Sequence, residues 1–325
     1  MKNYQIQLYK PSDATAWNTF IASAKNATFL FHRDFMDYHS DRFTDHSLLI
    51  YEQHKLVAVL PANKINNSVF SHQGLTYGGL IYTPKTKLSE IITIFRELLF
   101  FLHQNQVTTL QIKMIPSVYH KKPSQELEYA LFLTQAKLLK RDSMAVIDLS
   151  SAAEISKTRL SEVKKGAKNQ LEIREEQDCA SFWNTILVPE LAKKHHAKPV
   201  HSLSEISLLK SRFPNNIRQF NVYHNNTIIA GTTIFETDTT AHAQYISGNE
   251  YKSQLGSLDF LYEHLLTQVF QHKKFFDFGI SNENHGKILN SGLSFWKESF
   301  GAGTIVHDCY EVETANYTQL NTVFK

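Results

Sequence analysis

The 325-residue sequence is short of the features that define several protein classes. It has only two cysteines, Cys179 and Cys309. A pair this sparse builds neither a disulfide framework nor a zinc cage, and it suits a reducing, cytoplasmic setting. No apolar run approaches the roughly 18 residues that span a bilayer. The nearest, Leu98-Leu99-Phe100-Phe101-Leu102, is flanked by Arg96, Glu97 and His103. The first residues, Met1 to Tyr9, alternate polar and apolar as an edge-like strand does, and form no signal-peptide core. Net charge is only +3, too little to argue for a nucleic-acid partner by itself. No Ser-His or Cys-His pattern stands out as a covalent nucleophile. No long heptad-bearing insertion interrupts the chain.

What is present reads as α/β. Hydrophobic residues make up 42%, enough for two cores. A first strand leads to a helix with Trp17, Phe20 and Ile21 on one face, then a second helix over Arg33 to Ser40. A hairpin follows, Leu48–Glu52 and Leu56–Leu60, then a loop with three glycines, Ser71 to Gly79. A helix over Lys87 to Gln104 precedes the strand Thr109–Lys113. A helix over Glu126 to Leu133 precedes the strand Ser143–Leu149. The order then repeats. A basic helix, Arg159 to Gln170, and a helix over Cys179 to His195 come first, and Ser202-Leu203-Ser204-Glu205 is a capping box. A hairpin turns at Asn225-Asn226, a strand covers Ala241 to Gly248, a helix covers Gly256 to Gln271, and an apolar strand starts at Phe275. The two hairpins superpose at a constant offset of 172: Tyr51 on Tyr223, Leu56 on Ile228, Val57 on Ile229 and Ala58 on Ala230. We read a structural duplication, with domains over 1–149 and 150–325.

The stretch Phe275 to Gly301 organises the chain. An apolar strand, Phe275-Phe276-Asp277-Phe278-Gly279-Ile280-Ser281, runs into a polar loop, Asn282 to Lys287. Leu293, Trp296 and Phe300 then take one helical face, closed by Gly301. The pattern F-D-F-G-x-S, a polar loop, then G-L-x-x-x-K-x-x-F-G resembles the closing motif of the Fem-like branch of the GNAT acyltransferase superfamily. The residues that carry it are Phe276, Asp277, Phe278, Gly279, Ser281, Gly292, Leu293, Lys297, Phe300 and Gly301. That branch includes peptidoglycan aminoacyl transferases and many bacterial acetyltransferase-like proteins. The resemblance implies two tandem GNAT-like (acyl-CoA N-acyltransferase) domains, mixed sheets flanked by helices, and an acyl or aminoacyl transfer to an amine in a cleft between the domains. The donor it implies is acyl-CoA or acetyl-CoA, or an aminoacyl-tRNA; the acceptor is an amine on a small molecule or a cell-envelope precursor. The missing heptad arm weighs against transfer RNA. A non-catalytic ligand-binding module on the same fold is the alternative.

The residues then sort by role. By resemblance, Lys297 contacts the donor or steadies charge during transfer; otherwise it is a solvated helix lysine. His285, in the polar loop with Asn282, is a candidate base because imidazole titrates near neutrality. Tyr245 and Ser247 end the strand that lines the acyl site in GNAT folds. Lys252, Gln254, Gly256 and Ser257 match in part the family's basic turn for a pyrophosphate, where a helix N-terminus favours anions; an ordinary helix cap is the other reading. His72 and Tyr77 in the glycine-bearing loop, and His195 and His201 in a histidine-dense segment, are candidates for binding the acceptor. That segment lacks a carboxylate or cysteine at partner spacing, so no metal is expected there.

Overall fold

A computed structural model describes residues 3–152 and 154–325, with the side chain of His195 outside the description. The chain divides into two compact units. One comprises Met1–Asp142 with Val306–Lys325, the other Ser143–Ile305. A boundary after residue 149 alone would leave Val306–Lys325 in the second domain; these residues pack with the first.

The first unit begins with β1 (Tyr4–Leu8), α1 (Ala14–Ser23) and the short α2 (Arg33–Met36). Met1 and Lys2 of the expected first strand lie outside the described residues. β2 (Leu48–Glu52), β3 (Lys55–Leu60), β4 (Asn63–Ile65), β5 (Ser68–Phe70) and β6 (Ile81–Tyr82) follow, then α3 (Leu88–Gln104), β7 (Thr109–Lys113) and α4 (Glu126–Leu133). The order in one sheet is β1-β2-β3-β6, antiparallel throughout. α3 is amphipathic because its apolar residues recur three and four apart. It buries Ile91, Phe95, Leu98, Leu99 and Leu102 with Leu48, Ile50, Ala58 and Leu110. The C-terminal segment returns here for the same reason: Val312 and Leu320 are 1% exposed and belong to this core. Thr314 Oγ1 donates to the Val107 carbonyl at 2.6 Å. A small recess in this unit is lined by Asn26, Leu80, Tyr82, His120, Leu127 and Glu128, among others. At it His120 Nδ1 and Glu128 Oε2 are buried without a hydrogen-bond partner among the described residues.

β8 (Lys137–Asp148) carries the chain into the second unit. There follow α5 (Lys157–Lys168), β9 (Glu172–Glu176), α6 (Ala180–Phe182), a π turn at Trp183–Leu187, α7 (Val188–His195) and α8 (Leu203–Arg212). Next come β10 (Ile217–His224), β11 (Thr227–Glu236), β12 (Thr240–Gly248), α9 (Lys252–Leu255), α10 (Ser257–His264) and β13 (Phe275–Ile280). The ribbon β14 (Asn282–Glu283) and β15 (Ile288–Leu289), α11 (Ser291–Glu298) and β16 (Gly303–Glu313) close the chain. Strand β16 ends in the first unit, where Cys309–Glu313 pair antiparallel with β7. The second unit's strands run β8-β13-β12-β11-β10-β9, antiparallel except for the β12–β13 pair. The core lies between this sheet and α10, with Leu261, Tyr262, Leu265, Phe270, Phe276, Phe278 and Phe300 buried together.

The hairpin duplication extends to an irregularity that the sequence does not display. In β2–β3 the register slips between Ile50 and Tyr51, so that Ile50 faces Ala58 and Tyr51 faces Leu56. In β10–β11 it slips between Val222 and Tyr223, so that Val222 faces Ala230 and Tyr223 faces Ile228. All four positions are related by 172. A β-bulge is a built-in bend with a defined place, and the same bend recurs at the same place in both units.

Candidate functional site

The site is built where two neighbouring strands part. β12 and β13 pair in parallel at three positions: Thr240 with Phe275, Ala241 with Phe276, and His242 with Asp277. Beyond His242 and Asp277 both strands change course. Against β11, Ala243 faces Ile234 and Tyr245 faces Thr233, so Gln244 is an extra residue on β12. Against β8, Asp277 faces Val146 but Ile280 faces Met144, so β13 also carries one extra residue. A bulge bends its strand and releases backbone groups from the ladder. Two bulges after the last shared pair leave a wedge between parallel strands. Gly279 supplies the turn in β13 with φ +73°, a conformation that costs other residues about 1–2 kcal/mol.

Side chains lock this corner. Asp277 is fully buried. Its Oδ1 accepts the Gly279 N–H at 2.6 Å, and its Oδ2 lies 2.8 Å from His242 Nδ1. A Cβ on residue 279 would stand 3.3 Å from His242 Cε1, so the glycine also makes room for the imidazole edge. Lys297, on the last turn of α11, is 2% exposed. Its ammonium donates to the Gly279 carbonyl at 3.0 Å and the Ile280 carbonyl at 2.6 Å, at the end of the β13 bulge. Burial lowers its pKa to about 8, opposed by the nearby Asp277 charge. The expected face of α11 is thereby rotated. Trp296 and Phe300 pack with ring centroids 5.2 Å apart, but Leu293 is 39% exposed, and Lys297 takes the inward place. Lys297 is therefore not a solvated helix lysine.

His201 and Tyr245, separate candidates in the sequence, meet. The Tyr245 hydroxyl accepts the His201 N–H at 3.1 Å and lies 2.6 Å from its Nδ1. Trp183 Nε1 donates to the His201 carbonyl at 3.2 Å. Ser247 follows on β12, half-buried. His195 ends α7, and its side chain lies outside the described residues.

The segment Lys252 to Ser257 is not an open turn: Lys252–Leu255 form α9, Gly256 joins it to α10, and helix α5 packs on it. Gly256 has φ +72°, and a Cβ there would sit 2.4 Å from the Glu162 carbonyl oxygen. Lys165 Nζ donates to Ser253 O at 3.3 Å and Asn169 Nδ2 to Leu255 O at 3.4 Å. Ser257 is fully buried, while Gln254 is exposed. The first turn of α10 already carries an acid, Asp259, which holds Arg159 Nη1 at 2.7 Å and Trp296 Nε1 at 3.2 Å. Lys252 is half-buried, and burial followed by the Lys194 charge lowers its pKa.

The remaining candidates stand apart from this corner. Asn282 accepts Ser143 N–H at 2.6 Å and Ser143 Oγ at 2.9 Å, tying the β14–β15 ribbon to β8. His285 sits at the exposed turn of that ribbon with φ +55°. His72 and Tyr77 are interior residues of the first unit. The His72 ring stacks on His39 at 5.0 Å, and burial pushes its pKa down to about 3. The Tyr77 hydroxyl donates to Thr28 Oγ1 at 3.1 Å.

Sequence reasoning missed His242 and Gln244. Asp277 stood in the motif, but its partner lies 35 positions earlier and only the parallel register pairs them. Among the described residues no group of three or more His, Cys, Asp or Glu side chains is placed to hold a metal ion, and no helix is long and apolar enough to cross a membrane.

No protein-family model and no curated protein matches the sequence. Solved structures do match. FemX superposes with a TM-score of 0.66 at 9% identity, over 98% of this chain and 99% of FemX. L-PGS from Bacillus licheniformis gives 0.60 at 10% identity, over 93% and 91%. The C-terminal domain of a putative lysylphosphatidylglycerol synthetase from Agrobacterium fabrum gives 0.56 at 11%, over 86% and 90%. The chain thus shares the fold of FemX, in keeping with the Fem-like fold that the closing motif implied. Identity this low establishes the fold and leaves the chemistry to the site.

Proposed function

We propose that the protein transfers an acyl or aminoacyl group to an amine, by direct transfer in the wedge between β12 and β13. The observation that carries this reading is the buried Lys297 ammonium on the wedge's bulged strand. Transfer to an amine passes through a tetrahedral intermediate with negative charge on the former carbonyl oxygen. A fixed cation in a place sheltered from water stabilises such charge far better than one in solvent. Lys297 meets both conditions, because its two carbonyl bonds hold it in place and a pKa of about 8 keeps it charged at neutral pH. An acyl chain would lie between the strands where the β12–β13 pairing ends.

Acyl-coenzyme A and an aminoacyl-tRNA both present an activated carbonyl. Helix α5 on the Lys252–Ser257 segment, with Asp259 in the first turn of α10, disfavours a pyrophosphate there and so favours the aminoacyl ester. The acceptor is an amine on a small molecule or a cell-envelope precursor. The test is a thermal-shift titration with coenzyme A and acetyl-coenzyme A on wild type, Lys252→Ala and Lys297→Ala, beside an assay of transfer from aminoacyl-tRNA. Ligand that binds only the folded state raises the melting point by mass action. A saturable rise lost in Lys252→Ala identifies a coenzyme A donor. No rise at millimolar ligand, with transfer from aminoacyl-tRNA, identifies the ester. Failure of both leaves a non-catalytic binding module.

A further inference from the structure

We propose that His242 is the general base of this transfer and that Asp277 is its positioning residue; the proposal rests on the transferase reading above. His242 and Asp277 form the last cross-strand pair before the wedge opens. Asp277, fully buried, spends one carboxylate oxygen on the Gly279 N–H and aims the other at His242 Nδ1, 2.8 Å away. A carboxylate only accepts, so Nδ1 carries the ring proton and the basic electron pair is on Nε2. The imidazole is 13% exposed and its carboxylate not at all, the order expected when one group works and the other orients it. On β11 its pairing partner is Phe235, which does not titrate. Asp277 on β13 and Lys297 on α11 are ionisable groups at this corner.

The step balances without a redox partner. The acceptor amine attacks the carbonyl carbon of the activated ester or thioester. A C–N bond forms as the carbonyl π pair moves onto oxygen, and the amine N–H proton passes to Nε2. The oxyanion pair returns, the C–O or C–S bond breaks, and the imidazolium gives its proton to the leaving alkoxide or thiolate. The other candidate bases are placed less well: His285 is at an exposed turn, and the Tyr245 hydroxyl is engaged with His201.

The test uses the full chain with n-butylamine as acceptor and either acetyl-coenzyme A or alanyl-tRNA as donor. His242→Asn is the informative variant, because its amide can still reach Asp277 while Nε2 is gone. General-base removal costs about 10²–10⁴-fold in kcat. We expect that loss in His242→Asn, with an unchanged melting point and donor KM. The acidic limb of the pH–rate profile should vanish, and added imidazole should restore turnover in His242→Ala. Asp277→Asn should lower kcat and abolish the downfield Nδ1–H proton resonance in NMR. His54→Gln, at the exposed turn between β2 and β3, serves as the comparison and should stay at the wild-type rate. Wild-type transfer with His242→Asn within about threefold of it overturns the base and leaves the transferase reading standing. No transfer by wild type from either donor overturns both.

Discussion

Replacing Lys297 by methionine removes one charge and keeps most of the volume, which makes the electrostatics of the corner measurable. Burial lowers the Lys297 pKa from 10.5 to about 8. At 1.36 kcal/mol per pKa unit this corresponds to about 3 kcal/mol against the folded state while both states are charged. The sign follows from proton binding. Between pH 8 and 10.5 the unfolded chain holds the proton and the folded chain releases it, so stability rises with pH across that window. The Gly279 and Ile280 carbonyls act in the opposite direction. Methionine leaves both acceptors unpaired, at about 1–3 kcal/mol each. Set against the relieved burial cost, Lys297→Met should be destabilised by about 0–3 kcal/mol at pH 7. The sharper quantity is the difference between the two proteins as pH changes. Wild type should gain about 3 kcal/mol on Lys297→Met between pH 7.5 and 10.5, since the neutral amine still donates to both carbonyls. Urea denaturation followed by tryptophan fluorescence at several pH values measures it. A difference that stays flat with pH would show that Lys297 is not desolvated as its surroundings imply, and the argument for a sheltered cation would fail with it.

Two further perturbations test the packing around the sites. Gly256→Ala places a methyl 2.4 Å from the Glu162 carbonyl at φ +72°; left-handed strain and overpacking together predict a loss of about 2–4 kcal/mol, read as a lower urea midpoint. In the first unit, burial raises the Glu128 pKa from 4.5 to about 7. A raised carboxyl pKa favours the folded state at low pH, and that contribution disappears as pH climbs from 4.5 through 7. Glu128→Gln should therefore match wild type near pH 5 and exceed it by about 2–3 kcal/mol at pH 8; equal stability at both pH values would contradict a carboxyl whose charge burial disfavours.

The α/β class, the tandem hairpins and the closing motif are legible in the residue order alone. They follow from local periodicity and turn chemistry, which neighbouring residues carry: the capping box at Ser202 and Glu205, the Asn225-Asn226 turn, the amphipathic run of α3. Lys297 is legible too, through the motif, though its burial is not. The rest depends on contacts between distant segments. Lys297 is buried against the Gly279 and Ile280 carbonyls, and only the tertiary structure brings α11 onto the bulged end of β13. Folding joins Tyr245 to His201, and His242 to Asp277, across 44 and 35 positions. It returns Val312 and Leu320 to the first unit's core, and it packs α5 on the Gly256 turn that the sequence offers as an anion site. Pairings of this kind depend on strand register and on which backbone fills which space, and one-dimensional spacing holds neither.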